Sequence, residues 1–223
     1  MTRNKGASSI VALFTRISVP GGVKKRIAIR SDAQLAMRAH QFMLKNTLKV
    51  LVSSPALTFQ IWVAGELQHL NSGDPLSPYQ AQLRLQRGDS LGDRMAYTIG
   101  YNASNGAKTV LIGSDCPAMN VDYIQAAFSC LNTGADLVVG PAEDGGYVLI
   151  GMHELHLPIF RGIDWGSSRV LKQTLKVARD MGLNVCLLDT LSDVDRVEDL
   201  INLIGFDVLA QPDQLMESGD ASR

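Results

Sequence analysis

The sequence predicts a single α/β domain with a doubly wound, mainly parallel sheet and helices on both of its faces. Short apolar runs rich in branched residues alternate with segments whose apolar residues recur at helical spacing. Several runs are apolar on both faces, which favours a parallel sheet covered by helices over a sheet with one wet face. A chain of 223 residues suits one domain. We expect this domain to span residues 1–210 and residues 211–223 to be a frayed tail.

The apolar runs are the predicted strands. They lie at residues 10–14, 59–64, 109–114, 136–141, 147–151 and 184–188. Helical spacing predicts helices over residues 32–51, 121–131, 167–181 and 197–204. The third of these helices is followed by Gly182, a residue typical of the position just after a helix.

Charge and hydropathy exclude several classes of protein. A formal net charge of −1 and a pI of about 6.4 give no basic field for nucleic acid or anionic lipid, so we expect a small-molecule partner. The apolar run at residues 10–14 is too short for the core of a signal peptide, and none reaches the length of a membrane helix. We therefore expect a soluble, cytoplasmic protein.

The cysteines support the same expectation. Cys116, Cys130 and Cys186 are odd in number, widely spaced and without a CxxC pattern. This argues against a disulfide framework and against a zinc site. A reducing compartment is the simplest interpretation.

A glycine-rich loop follows the first predicted strand. In open α/β sheets ligands bind beyond the carboxyl ends of the strands, so residues placed there are candidates for a site. Arg16 is followed by the segment Pro20 to Arg26, in which Gly21 and Gly22 precede a run of cations. Adjacent glycines allow close approach of a ligand, and the cations can neutralise phosphate oxygens. A solvated surface loop explains the same pattern equally well.

Acids follow other predicted strands. Asp115 ends the buried run at 109–114 and can hold a divalent ion, although a turn or helix cap also explains it. Asp193 and Asp195 lie one residue apart, so in extended backbone both point the same way and can converge on one ion. The alternative is a cluster of acids at the start of a helix.

A glycine-rich turn separates two predicted strands. The segment Gly140 to Tyr147 contains Asp144 followed by two glycines, a strong signal for a tight turn. The same residues could equally form the floor under an acceptor. Asp144 is the candidate general base, as the acid expected to face that acceptor.

Five motifs occur together in one order. They are Pro20 to Arg26, Gln86 to Met95, Ile112 to Pro117, Gly140 to Tyr147 and Asp193 to Asp195. The set resembles a bacterial family with the glycosyltransferase A fold whose members are described as nucleotide-diphospho-sugar transferases. The resemblance covers most of residues 10–204. Lys25 stands where the family pattern has threonine, so a hydroxyl that could contact phosphate or metal is missing.

The resemblance implies roles for individual residues. The family is similar to 2-phospholactate guanylyltransferase and molybdenum-cofactor guanylyltransferase, in which a glycine-rich loop holds the nucleotide and acids hold magnesium. By that analogy Lys24 and Arg26 contact phosphates, and Gln86, Gly92 and Arg94 lie near the nucleotide. Asp115, Asp193 and Asp195 bind Mg²⁺ or Mn²⁺, and Gly145, Gly146 and Tyr147 line the acceptor side.

The implied function is transfer from an activated nucleotide to a small-molecule acceptor. Glycosyl transfer from a nucleotide-diphospho-sugar is the first expectation. The alternative is guanylyltransferase-like nucleotidyl transfer, in which a nucleoside monophosphate passes from a nucleoside triphosphate to a small phosphorylated acceptor and pyrophosphate is released. A non-catalytic nucleotide-binding module is a third, and it is disfavoured because all three candidate metal ligands are present.

Overall fold

Strands and helices alternate along most of the chain. The computed structural model describes residues 8–24 and 33–193. Its helices and strands are β1 (Ser8–Arg16), α1 (Ala33–Ser53), β2 (Thr58–Ala64), β3 (Leu83–Leu85), α2 (Leu91–Ala103), β4 (Ala107–Gly113), α3 (Val121–Asn132), β5 (Leu137–Pro141), β6 (Tyr147–Met152), α4 (Val170–Asp180) and β7 (Val185–Leu187). Short 3₁₀ helices cover Leu67–His69, Ser77–Gln82 and Leu157–Phe160.

The described strands form one seven-stranded sheet in the order β3-β2-β1-β4-β6-β5-β7. Strand β1 is an interior strand and pairs in parallel with both β2 and β4. Strand β6 runs antiparallel to β4 and to β5. The remaining pairs, β2 with β3 and β5 with β7, are parallel. The predicted mainly parallel sheet is therefore confirmed.

Helices cover both faces of this sheet. Alternate residues of β1 point to opposite faces, so Val11 and Leu13 pack in one apolar cluster and Ala12 and Phe14 in the other. The first cluster contains side chains of α1 and α3, and the second contains side chains of α2 and α4. This arrangement confirms the predicted doubly wound architecture.

The predicted elements correspond closely to the observed ones. Each apolar run became a strand, and the helices predicted at 32–51, 121–131 and 167–181 are α1, α3 and α4. Gly182 ends α4 with a φ of 69°, and the amide of Leu183 donates to the carbonyl of Ala178 at 3.0 Å. The predicted helix at 197–204 and the predicted tail at 211–223 lie outside the described residues.

Helix α2 begins with a capping box that the sequence analysis missed. The Ser90 hydroxyl accepts a hydrogen bond from the Asp93 amide, and the Asp93 carboxylate accepts one from the Ser90 amide. The Ser90 bonds lower the pKa of Asp93. The Ser-x-x-Asp spacing was the available signal for this helix.

Cys130 and Cys186 form a disulfide, so the inference from cysteine number and spacing against disulfides is wrong. The bond joins α3 to strand β7, and the two Cα atoms are 6.2 Å apart although 56 positions separate the residues in sequence. Sequence spacing could not reveal the pair, because only the sheet order brings these two elements together. The cysteine pattern therefore gives no support to a reducing compartment.

None of the helices in residues 8–24 and 33–193 has the length and apolar character needed to cross a membrane.

Thiol titration should distinguish the three cysteines. Cys116 is buried, and burial raises the pKa of its thiol to about 11, so the native protein should not react with dithionitrobenzoate at neutral pH. We expect one reactive thiol in denaturant without reductant, and three after reduction. The Cys130→Ser variant should show two thiols in denaturant without reductant. Three thiols in the unreduced, denatured wild-type protein would contradict the disulfide.

Candidate nucleotide site

A pocket of about 590 Å³ lies at the carboxyl edge of the sheet. Arg16 pairs with Ala64 of β2, and Phe14 pairs with Gly113 of β4, so the ends of these three parallel strands lie side by side. The polar residues lining the pocket are Thr15, Arg16, Lys24, His40, Gln86, Arg94, Ser114, Asp115, Cys116 and Asp193. With Tyr147, which also lines the pocket, the structure therefore brings together candidate residues from all five sequence motifs, as the topology of open α/β sheets favours.

Asp115 lies at the centre of this polar group. It follows β4, and its Oδ2 atom is 3.0 Å from the Lys24 Nζ atom. The Ser114 hydroxyl donates to Asp115 Oδ1 at 3.4 Å. The Asp115 side chain is 43% exposed, whereas that of Lys24 is 5% exposed. The carboxylate therefore remains accessible from the pocket while its cation is shielded from water.

His40 is a pocket residue that the sequence analysis did not identify. It belongs to the buried face of α1, and its Nε2 atom lies 3.1 Å from the carbonyl oxygen of Arg16. A carbonyl can only accept, so Nε2 carries a proton, and in the neutral ring Nδ1 then has a lone pair. The Nδ1 atom is 4.0 Å from Asp115 Oδ1. Burial lowers the pKa of His40, although the Asp115 charge opposes the shift, so we treat the ring as neutral.

The glycine-rich loop places Lys24 in the lining of the pocket. The amide of Gly22 donates to the Val19 carbonyl at 3.0 Å, and a Cβ atom at Gly22 would lie 2.4 Å from a Val19 methyl group. Gly21 has a φ of 73°, and Lys24 itself has a φ of 45°. The two glycines thus shape the turn, while Arg16 and Lys24 supply the cations that line the pocket. Arg26 lies outside the described residues.

The Gln86 side chain forms hydrogen bonds with two strands at the pocket. Its side-chain amide donates to the carbonyls of Thr15 and Trp62, at 3.1 and 2.9 Å. The structure therefore gives Gln86 a role in positioning the ends of β1 and β2. Its proximity to a nucleotide stays a prediction. Arg94 also lines the pocket, and its Nε atom donates to the Gly88 carbonyl at 3.0 Å.

Gly92 lies on the packed side of α2. A Cβ atom there would approach the Phe160 carbonyl to 2.6 Å and the Trp165 ring to 2.9 Å. Close packing of the helix start is thus a sufficient reason for glycine at this position. Its predicted proximity to a nucleotide stays a prediction.

Tyr147 lies where the turn between β5 and β6 ends, and it lines the pocket. The Asp144 carboxylate is exposed and accepts from the Gly146 amide at 2.8 Å. Gly145 has a φ of 89° and packs against Ser168, whose carbonyl would be 2.2 Å from an added Cβ. The Tyr147 ring packs edge-on against Trp165. Burial raises the pKa of Tyr147. Asp144, Gly145 and Gly146 are not among the residues that line this pocket.

Asp193 lines the same pocket as Asp115. The Cys116 thiol donates to the Ser192 carbonyl at 3.4 Å, which holds the segment containing Asp193 beside the end of β4. Asp195 lies outside the described residues. Within residues 8–24 and 33–193, no group of three or more His, Cys, Asp or Glu side chains is arranged to hold a metal ion. The described part of the site therefore offers two pocket-facing acids.

The structure is similar to solved structures over nearly its whole length. One is a Desulfovibrio desulfuricans G20 protein provisionally named a nucleotide-diphospho-sugar transferase, at 27% identity, 96% coverage of both chains and a TM-score of 0.78. A CMP:2-keto-3-deoxy-manno-octonic acid synthetase bound to CTP has 11% identity, a TM-score of 0.54 and coverage of 93% of this chain and 99% of that one. An inositol-1-phosphate CTP transferase from T. maritima has 13% identity, a TM-score of 0.53 and coverage of 95% and 97%.

The chain has the α/β fold of the solved structure named as a nucleotide-diphospho-sugar transferase, as the resemblance of the motifs predicted. Residues 47–167, just over half of the chain, match a family described as "Uncharacterized protein conserved in bacteria (DUF2064)". The chain belongs to this family. The sequence matches no curated protein.

Gly92 provides a test of packing at the site. Gly92→Ala should lower the free energy of unfolding by about 1 to 3 kcal/mol, because the methyl group meets a backbone carbonyl and an aromatic ring. Gly100→Ala in the same helix is the matched control. Its nearest neighbour is the flexible end of Leu155, so we expect no loss and a gain of up to about 1 kcal/mol. Urea denaturation measures both, and equal midpoints for the two variants would contradict the assignment.

Proposed function

We propose that this chain is a magnesium-dependent transferase that binds an activated nucleotide at the carboxyl edge of its sheet. One observation carries the proposal: Lys24, Asp115 and Asp193, which come from three separate sequence motifs, line a single pocket. A pocket of about 590 Å³ is within the usual range for small-molecule sites, roughly 300 to 1,000 Å³. Cations and acids together suit a ligand that carries both phosphates and a metal ion.

The cations of the pocket would bind the phosphates. Arg16, Lys24 and Arg94 all line it. Guanidinium groups can bind phosphate oxygens in pairs, and a lysine ammonium acts as a compact charge. These groups would place the nucleotide so that its phosphates lie over the ends of β1 and β4 and its leaving group departs toward positive charge.

The acids of the pocket fit a magnesium ion bound together with the nucleotide. Mg²⁺ is usually held by one or two carboxylates and by substrate phosphates, so Asp115 and Asp193 suffice on the protein side. We retain Asp195 as a third ligand on the strength of the sequence motif. When bound, the ion neutralises negative charge on the departing phosphates. Asp115 and Asp193 would orient it between the strand end and the ligand.

Glycosyl transfer from a nucleotide-diphospho-sugar is the first candidate reaction. It is supported by the structure from Desulfovibrio desulfuricans, whose name describes this class and whose sequence is 27% identical to this one. In this reaction an acceptor oxygen forms a bond to the anomeric carbon of the sugar. The bond from that carbon to the nucleoside diphosphate breaks, and the acceptor proton passes to a base.

Nucleotidyl transfer is the second candidate. It is supported by the similarity in fold to two structures whose names describe cytidylyl chemistry with CTP. Here an acceptor oxygen attacks the α-phosphorus of a nucleoside triphosphate, and pyrophosphate leaves. Both reactions need the same phosphate contacts, because in each of them negative charge grows on the departing phosphates.

Metal-dependent nucleotide binding tests the proposal. With Mg²⁺, the correct nucleotide at about 100 times its Kd should raise the Tm by roughly 5 to 10 °C. Asp115→Asn should abolish this shift, because it removes a ligand charge. The matched control is Asp180→Asn, which also breaks a lysine–aspartate pair, with Lys176, and should retain the shift. A nucleotide sugar as the active compound supports glycosyl transfer, and a triphosphate supports nucleotidyl transfer. If none of the nucleotide sugars and nucleoside triphosphates raises the Tm in the presence of Mg²⁺, the proposal is wrong.

Asp144 remains the proposed general base. Tyr147, three residues away, lines the pocket, so the turn can face an acceptor bound beside the nucleotide. With the cognate nucleotide and acceptor, Asp144→Asn should lower kcat by about 10² or more, because the acceptor proton loses its base. Gly146 donates to one Asp144 oxygen, and asparagine retains an acceptor for that bond, so the turn should persist. Unchanged turnover would remove Asp144 from this role.

A further inference from the structure

Asp115 already has a cation beside it. Lys24 Nζ is 3.0 Å from Asp115 Oδ2, and the Lys24 side chain is almost entirely shielded from water. Hydrogen-bonded ion pairs of this kind are stronger when solvent is excluded. The carboxylate proposed to hold the metal therefore has its charge compensated by a residue of the chain itself.

His40 lies farther from this carboxylate than Lys24 does. Its Nε2 atom donates to the Arg16 carbonyl, and its Nδ1 atom is 4.0 Å from Asp115 Oδ1, beyond hydrogen-bond distance. The charge compensation that the described residues show at Asp115 comes from Lys24.

The backbone at Lys24 is in an unusual conformation. Its φ of 45° is in the left-handed region, which lysine rarely adopts. Such a conformation persists where surrounding contacts hold it. The pair with Asp115 is a contact of this kind, and it directs the ammonium group to the carboxylate rather than to solvent.

We propose that Lys24 occupies the cation position at Asp115 in the free protein, so that a divalent metal binds well only after nucleotide phosphates have drawn the ammonium group away. This inference rests on the proposed function. A metal ion on Asp115 would lie about 2 Å from its oxygen and within a few ångströms of the ammonium nitrogen. Repulsion between the two cations opposes metal binding until phosphate charge compensates for both.

The consequence is positive coupling between metal and nucleotide. Phosphates attract Lys24 and the metal at the same time, so each ligand raises the affinity for the other, and the coupling is reciprocal. Metal alone should therefore bind weakly to the free wild-type protein. Removal of the Lys24 charge should strengthen the binding of metal alone and weaken the binding of nucleotide.

Mn²⁺ binding without nucleotide tests the inference. Electron paramagnetic resonance measures free Mn²⁺, and Lys24→Met should bind Mn²⁺ at least about tenfold more tightly than the wild-type full chain. Lys24→Asn removes the same charge with a residue that tolerates the left-handed conformation, so it guards against a folding defect. Lys176→Met, which breaks the surface pair with Asp180, is the matched control and should leave Mn²⁺ affinity unchanged.

The outcomes separate this inference from the proposed function. Equal Mn²⁺ affinity in wild type and both Lys24 variants overturns the inference and leaves the proposed function standing. A gain that persists when Asp115→Asn is added to Lys24→Met also overturns it, because the metal then binds elsewhere. Failure of every variant to bind Mn²⁺, with and without nucleotide, removes the metal from the proposed function and the inference with it.

Discussion

The parallel pairing of β1 with β2 and β4 is the constraint on which the site depends. Pairing of Arg16 with Ala64 and of Phe14 with Gly113 brings three strand ends to one edge. Side-chain bonds then fix this edge. Gln86 donates to carbonyls of β1 and β2, and the hydroxyls of Thr15 and Ser114 are 3.1 Å apart. The polar groups of the pocket are positioned relative to the joined ends of these three strands.

Burial decides which groups at this edge carry charge. His40 is buried in α1 and its pKa is lowered, so it acts as a neutral hydrogen-bond donor that holds the end of β1. Cys116 is also buried and its pKa is raised, so it joins the end of β4 to the Ser192 carbonyl as a neutral thiol. Charge is thus confined to the lysine, the arginines and the acids that face the pocket.

The sequence predicted six of the seven described strands, three of the described α-helices and every Lys, Arg and Asp residue that lines the pocket, because apolar periodicity and strand-end positions are local signals. It missed features that depend on tertiary pairing. The disulfide of Cys130 with Cys186 requires α3 and β7 to be neighbours. His40 could be recognised only by its burial among apolar residues of α1. Helix α2 was missed for a different reason, since its Ser-x-x-Asp start was visible in the sequence.

The two sides of the proposed site have different physical origins. The phosphate and metal side is built from strand ends and would suit any activated nucleotide, which explains why one fold can serve two transfer reactions. In the turn between β5 and β6, Asp144, Gly145 and Gly146 do not line the pocket, since Gly145 packs against Ser168 and the Asp144 carboxylate accepts from the Gly146 amide. Under the proposed function, changes in these residues would alter the acceptor side without disturbing the phosphate contacts. The choice between the two reactions would then depend on which activated nucleotide the phosphate side binds, whereas Tyr147, which lines the pocket, would help to select the acceptor.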